Sequence, residues 1–318
     1  MKMPLATLSN ELASTARSVD VGLLHARSVD ARFLRRLKTG AVCGNVHSVF
    51  ERAINIQDTV GGLFTLVCRD LDNGPNAIVV DVAGFGGTGV TVRDPVTASP
   101  ESLRIGSRFA VRLEGATGWD GRLPAYPRSE KNLRANLCFA EAFLSRLGEA
   151  GGVVGNRRDE SRFSFEVTAL LERRATLLRD SMSVGDLNGA CLHAKSMVGL
   201  GPGLTPSGDD FLVGLFAVLN ISESPCFEWL GGGREVVADA RHSTNAISYA
   251  VLTQAACGRV RESIARLVNC MMHATPDRVL DPLHRVLAIG STSGADLLAG
   301  ILSGFQVNLK VGALKSVS

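Results

Sequence analysis

The hydrophobic period changes once along this chain of 318 residues, and that change limits the fold more than any other feature. From about residue 35 to 118, short runs rich in Val, Ile, Phe and Thr alternate with turn signals. Gly62-Leu63-Phe64-Thr65-Leu66-Val67-Cys68 and Ala77-Ile78-Val79-Val80-Asp81-Val82 read as strands. They are joined through Asp70-Leu71-Asp72-Asn73-Gly74-Pro75-Asn76, whose Asn-Gly is a hairpin signal. Val90-Thr91-Val92 and Arg108-Phe109-Ala110-Val111-Arg112-Leu113 are further strand candidates. From about 129 onward the apolar residues recur three and four apart, as at Leu133, Leu137, Ala140 and Leu144, and Gly151-Gly152 closes that first run. The same spacing predicts helices near 160–182, 185–198, 208–221, 233–257, 259–273, 277–289 and 294–307. The expected class is therefore α+β, an antiparallel β-rich half over 1–122 followed by a mainly α-helical half over 123–318. The polar, proline-containing stretch Asp120 to Pro127 marks the junction.

Bulk properties narrow the function classes. Apolar residues make up 45% and charged ones 20%, enough for a packed core. A net charge of +3 with no long run of like charges gives no reason to expect a nucleic-acid partner. Seven cysteines occur without a CxxC pair, which argues against a disulfide framework and a zinc knuckle and for a reducing, cytoplasmic setting. The N-terminal stretch lacks the apolar block of a signal peptide, and no window is continuously apolar for the length of a membrane span. No membrane partner is expected.

Gly84-Phe85-Gly86-Gly87-Thr88-Gly89 matches the dinucleotide fingerprint in letters and follows a strand. Such a fingerprint must open a helix, because the helix N-terminus holds the pyrophosphate. Here Val90-Thr91-Val92-Arg93-Asp94-Pro95 follows instead, so the string reads as a glycine-rich turn.

A second glycine loop has more to say. Gly199-Leu200-Gly201-Pro202-Gly203-Leu204-Thr205-Pro206 leads into Ser207-Gly208-Asp209-Asp210-Phe211-Leu212-Val213-Gly214-Leu215. That last segment aligns without gaps on Ser293-Gly294-Ala295-Asp296-Leu297-Leu298-Ala299-Gly300-Ile301, 86 residues further on. Both copies read S-G-x-D followed by an apolar helix. One account is local: Ser with an acid three residues later resembles a capping box. Capping does not require three glycines stiffened by two prolines, nor Asp209 beside Asp210. A rigid loop feeding a helix N-terminus is an anion site, with Gly201, Gly203, Thr205, Ser207 and Gly208 in one copy and Ser293 and Gly294 in the other as candidate ligand-binding residues. Asp209, Asp210 and Asp296 are the candidate catalytic groups. Asp209 and Asp210 would either hold a cation such as Mg²⁺ or accept from a donor such as a carbamoyl NH₂. No other cofactor is called for.

Two smaller clusters join these. Thr244, Asn245 and Ser248 share one helix face, either as a polar seam between helices or as part of the same pocket. His47 is an early candidate ligand-binding residue whose alternative is a structural histidine.

The strings "GLGPGLTPSGDDFLVGL" (199–215), "STNAISYAVLTQAACG" (243–258), "IGSTSGADLLAG" (289–300) and "HSVFERAINI" (47–56) together resemble AllH-type proteins of bacterial gene clusters for allantoin and purine breakdown. The resemblance implies a subunit of an oxamate carbamoyltransferase, which makes carbamoyl phosphate from oxalurate and releases oxamate. It also implies other subunits as partners, one of them resembling acyl-CoA synthetases. Two other classes stay open beside the enzymatic one: a non-catalytic subunit, and a small-anion-binding protein of the same pathway.

Overall fold

A computed structural model describes residues 22–147 and 162–316; the N-terminal stretch, Gly151-Gly152 and the start of the helix expected from 160 lie outside them. Strand β1 (Gly22–Asp30) runs into helix α1 (Ala31–Thr39), and β2 (Val42–Val49), β3 (Ala53–Asp58), β4 (Leu63–Cys68) and β5 (Ala77–Val80) follow. After a long connection come β6 (Pro95–Ala98), β7 (Ser102–Ile105), β8 (Phe109–Arg112) and β9 (Thr117–Trp119). The strands hydrogen-bond in the order β5-β4-β3-β2-β6-β7-β8-β1, and a β1–β5 pairing closes them into a barrel of eight strands, with β9 added beside β1. Closure removes the exposed edges of an open sheet. In β6 and β7 each second residue is buried, Val96 and Ala98 facing Leu103 and Ile105 in the barrel core. α1 turns its Phe33 and Leu37 onto that core, and the Phe33 ring stacks on Phe64 at 4.8 Å.

The antiparallel expectation is overturned. β1 runs parallel to β8 and β9, and β4 runs parallel to β5. The Asn73-Gly74 signal misleads because the segment is spent on a different task. Its Asn73 side chain donates to Glu262 at 2.8 Å in the helical half and accepts from Ser28 in β1. The chain therefore crosses back before β5, which pairs Thr65 with Ala77 and Cys68 with Val80. Val90-Thr91-Val92 is likewise no strand; it lies with the 84–89 glycine string in the connection between β5 and β6, and no helix follows.

The helical half comprises α2 (Lys131–Leu147), α3 (Arg162–Ser183), α4 (Leu187–Met197), α5 (Ser207–Leu219), α6 (Leu230–Ala240), α7 (Ala246–Ala255), α8 (Glu262–His273), α9 (Leu280–Leu287) and α10 (Ser293–Lys315). The single helix expected over 233–257 is two, because the Asn245 side chain takes the amides of Ile247 and Ser248 and starts α7 afresh. Every residue of α5 is buried, which makes it the central helix of a core separate from that of the barrel. α10 is long and apolar enough by composition to cross a membrane, yet 67% of its most apolar window is buried inside the protein. It packs along α5 as the second central helix.

The halves are tied by paired charges. Asp30, at the end of β1, accepts from Arg259, from the Asn76 amide at 2.8 Å and from the Arg32 amide at the start of α1. Asp72 accepts from Arg261 and, at 2.7 Å, from the Ser263 amide. A buried carboxylate is tolerated only when its lone pairs are met in this way.

Candidate functional site

The two S-G-x-D starts converge. A Cβ placed at Gly214 would lie 2.1 Å from the Leu297 carbonyl oxygen, and one at Gly300 would lie 2.0 Å from that of Phe211. Further along, a Cβ at Gly304 would meet Val218 at 2.7 Å. The contacts advance in the same direction on both helices, so α5 and α10 are parallel and cross at the glycines of the repeat. Only glycine permits backbones this close. Both N-termini, each carrying the positive end of a helix dipole, consequently lie side by side.

Neither serine is a cap. The cap residues are Pro206 and Thr292, neither of which makes a side-chain cap bond, and the motif serines are the first helical residues. The capping-box account therefore fails for both copies. The helix-start amides are satisfied from the loops instead. Gly208 donates to the Leu200 carbonyl and Gly294 to that of Ile289, while Asp209 and Asp210 share the Pro206 carbonyl as Ala295 and Asp296 share that of Thr292. The amides from Gly208 to Asp210 and from Gly294 to Asp296 are thus already used, and the Thr205 and Ser293 hydroxyls and the Asp210 carboxyl stand beside them. Thr205 and Ser293 bring their hydroxyl oxygens to 2.8 Å across the junction of the two loops.

Gly199, Gly201 and Gly203 all have positive φ. At Gly199 the reason is visible: its amide donates to Asp209 at 2.8 Å, and a Cβ there would strike the Ser243 carbonyl oxygen. The other Asp209 oxygen accepts from the Thr244 hydroxyl. The buried Ser248 hydroxyl also favours the charge of that carboxylate. Burial pushes the Asp209 pKa up, and these donors pull it back in part. Asp209 thus clasps the glycine loop to the start of α7, where Asn245 adds a bond to the Leu204 carbonyl at 2.7 Å. Each Asp209 oxygen thus already accepts one hydrogen bond. Among the described residues no three metal-binding side chains cluster.

Asp210 differs from its neighbour. The residue is 6% exposed, and one of its carboxyl oxygens is buried without a hydrogen-bond partner. Burial pushes its pKa up to about 7, against the pull of the Ser293 and Thr205 hydroxyls. Asp296, fully buried on α10, and Asp209 raise it further by like charge. Asp210 therefore holds a proton over the range in which most aspartates have lost theirs. A carboxyl of this kind, beside two hydroxyls and two helix N-termini, can give and take a proton near neutral pH.

His47 stands apart, on β2 of the barrel, with its ring nitrogen 3.2 Å from the Ser48 hydroxyl. No described interaction links it to the helix starts. A cleft of about 430 Å³ between barrel and helices was not legible in the linear sequence; Arg52, Arg261, Arg266 and Arg285 are among its lining residues, and Ile289 and Gly290 form part of its wall. These arginines come from three separate stretches of chain, and only the fold brings them together.

Fold and site together define an α+β protein in which a closed barrel precedes a helical domain with two convergent S-G-x-D helix starts. The chain belongs to the AllH family: residues 197–305 match the family described as oxamate carbamoyltransferase subunit AllH, and residues 25–118 match the AllH family N-terminal domain. Membership gives it a role in allantoin and purine catabolism as one subunit of a carbamoyltransferase, beside other subunits. No solved structure matches the chain.

Proposed function

We propose that this chain contributes the proton-transfer groups of carbamoyl exchange between oxalurate and phosphate, with Asp210 and Asp296 as the acting carboxyls. The observation that carries this reading is the buried, partner-lacking Asp210 oxygen beside the Thr205–Ser293 hydroxyl pair. In the reaction, a phosphate oxygen attacks the carbamoyl carbon of oxalurate and the bond from that carbon to the oxamate nitrogen breaks. Protonated Asp210 gives its proton to the departing nitrogen, and the carboxyl pair recovers one from the phosphate hydroxyl. Oxamate and carbamoyl phosphate leave. The hydroxyls of Thr205 and Ser293 orient the carbamoyl oxygen, and the paired helix dipoles favour the negative charge that develops there. Mg²⁺ is not needed for this proton balance, and a cation bound by the substrate phosphate would be compatible with it.

The test is turnover by the reconstituted complex. Asp210→Asn, which keeps size and shape, is expected to lower kcat by at least about 100-fold, the usual scale of acid–base catalysis, while the subunit still assembles. Activity within about twofold of the wild type would move the chemistry to another subunit. That second reading, a non-catalytic subunit, is favoured by one observation: Leu177 on α3, Val184 in the turn after it, and Leu187 and Leu192 on α4 are large apolar side chains left exposed, as a partner chain would require.

A further inference from the structure

The cleft between barrel and helices has walls that are already braced. Asp72 is taken by Arg261 and the Ser263 amide, and Glu262 by the Asn73 side chain. Arg285 pairs with Asp281 along its own helix. Two cations remain. Arg52, from the β2–β3 turn, makes one long contact to the Asp70 carbonyl oxygen, and Arg266, on α8, makes no hydrogen bond or ion pair among the described residues. Asp281 acts on Arg266 only at longer range. Asp70 sits exposed at the rim. An open cleft whose inner acids, Asp72 and Glu262, are engaged and whose Arg52 and Arg266 guanidinium groups are unpaired is a receptor for a negative ligand, since Arg presents a fork of donors that fits a carboxylate or a phosphate.

Position makes this more than a surface patch. Gly290 lines the cleft with φ +62°, and a Cβ at that residue would lie 3.2 Å from the Ser293 hydroxyl. Ser293 in turn meets Thr205 at 2.8 Å. The cleft wall at Gly290 thus adjoins the hydroxyl pair at the helix starts. We infer that Arg52 and Arg266 hold a small oxyanion, a phosphate or a carboxylate, in this cleft with its far side directed at Ser293. The inference goes beyond the proposed carbamoyl exchange, because it assigns the grip on the anion to barrel and α8 residues outside both motifs and stands whichever subunit performs the chemistry.

Calorimetric titration of the full chain with inorganic phosphate, and separately with oxamate, at constant ionic strength tests it. Saturable phosphate binding is expected, weakened at least tenfold by Arg266→Gln and by Arg52→Gln. Both side chains lie at the cleft surface, and unchanged melting temperatures would show that the variants remain folded. Saturable binding of oxamate alone, with the same dependence on both arginines, supports the cleft and makes its ligand a carboxylate. Binding that survives both substitutions but is lost in Ser293→Ala overturns the inference and places the anion at the helix starts alone. Heat that stays flat for both anions also overturns it. Asp210→Asn is expected to keep phosphate binding while losing turnover, so the arginine cleft and the carboxyl chemistry can fail separately.

Discussion

In α5 the third position of the repeated motif is Asp209, clasped by the Gly199 amide and the Thr244 hydroxyl; in α10 the same position is Ala295, buried and apolar. The fourth position is an acid in both, Asp210 and Asp296, and the eighth is a glycine in both, Gly214 and Gly300. What the copies share lies between the helices: the glycines let them cross, and the acids meet where they begin. What they do not share is the third position, where Asp209 bonds Gly199 and Thr244 and Ala295 offers no polar group. The comparison teaches that the paired carboxylates of Asp209-Asp210, adjacent in sequence, have different work. Asp209 is held by two donors, whereas in the proposed function Asp210 and Asp296, far apart in sequence, are the working pair.

The most severe way to break that comparison is at the crossing. Gly214→Val and Gly300→Val each drive a side chain into a backbone carbonyl, so each is expected to cost more than about 4 kcal/mol or to prevent folding. Denaturant unfolding should find the two losses alike, since the contacts are reciprocal; a tolerated substitution on one side would show that the crossing is not shared. Next in size, Asp209→Ala strands the Gly199 amide and the Thr244 hydroxyl and should cost about 3 kcal/mol. Turnover per folded molecule should fall far less than in Asp210→Asn. Lost turnover with unaltered unfolding would return Asp209 to the catalytic group.

A pH series sharpens the contrast between the acids. Asp210 has a folded pKa near 7 against an ordinary value of 3.8, so the folded state binds the extra proton between them. Its contribution to stability is fully present below pH 3.8 and is lost as pH rises through about 7. Asp210→Asn should abolish that decline and exceed the wild type in stability at pH 8, by a margin of about 1 kcal/mol or more. Asp296→Asn, by removing a like charge, should move the decline to lower pH. Unfolding profiles of wild type and Asp210→Asn that run parallel from pH 5 to 8 would contradict the assignment. The smallest effect belongs to the hydroxyl pair: Thr205→Val or Ser293→Ala removes one hydrogen bond and should cost about 1 kcal/mol in the melting curve.

Much of this was legible because it is local. The period change at about residue 120 separates strands from helices, and the glycines at 199, 201 and 203 announced a backbone that only glycine adopts. The S-G-x-D echo pointed to two equivalent helices. Two of the errors share one cause, a local signal overruled by a partner elsewhere along the chain. Asn73-Gly74 has hairpin chemistry, but Glu262 and Ser28 claim Asn73 and the strands it joins run parallel. Ser207 and Ser293 have capping-box spacing, but loop carbonyls satisfy the helix-start amides and the serines shift one place into the helix.

The sequence by itself determined where the β-rich half gives way to helices, where the glycine loop must bend, and that two helices begin alike. These follow from short-range sterics and the period of apolar residues, which act within a few positions. Only the tertiary structure decided that the barrel closes with parallel pairs, that Asp209 is a clasp while Asp210 keeps a proton, and that Arg52 and Arg266 face one cleft. Barrel closure, desolvation and charge proximity depend on which distant atoms exclude water from a group, and no spacing along the chain records that.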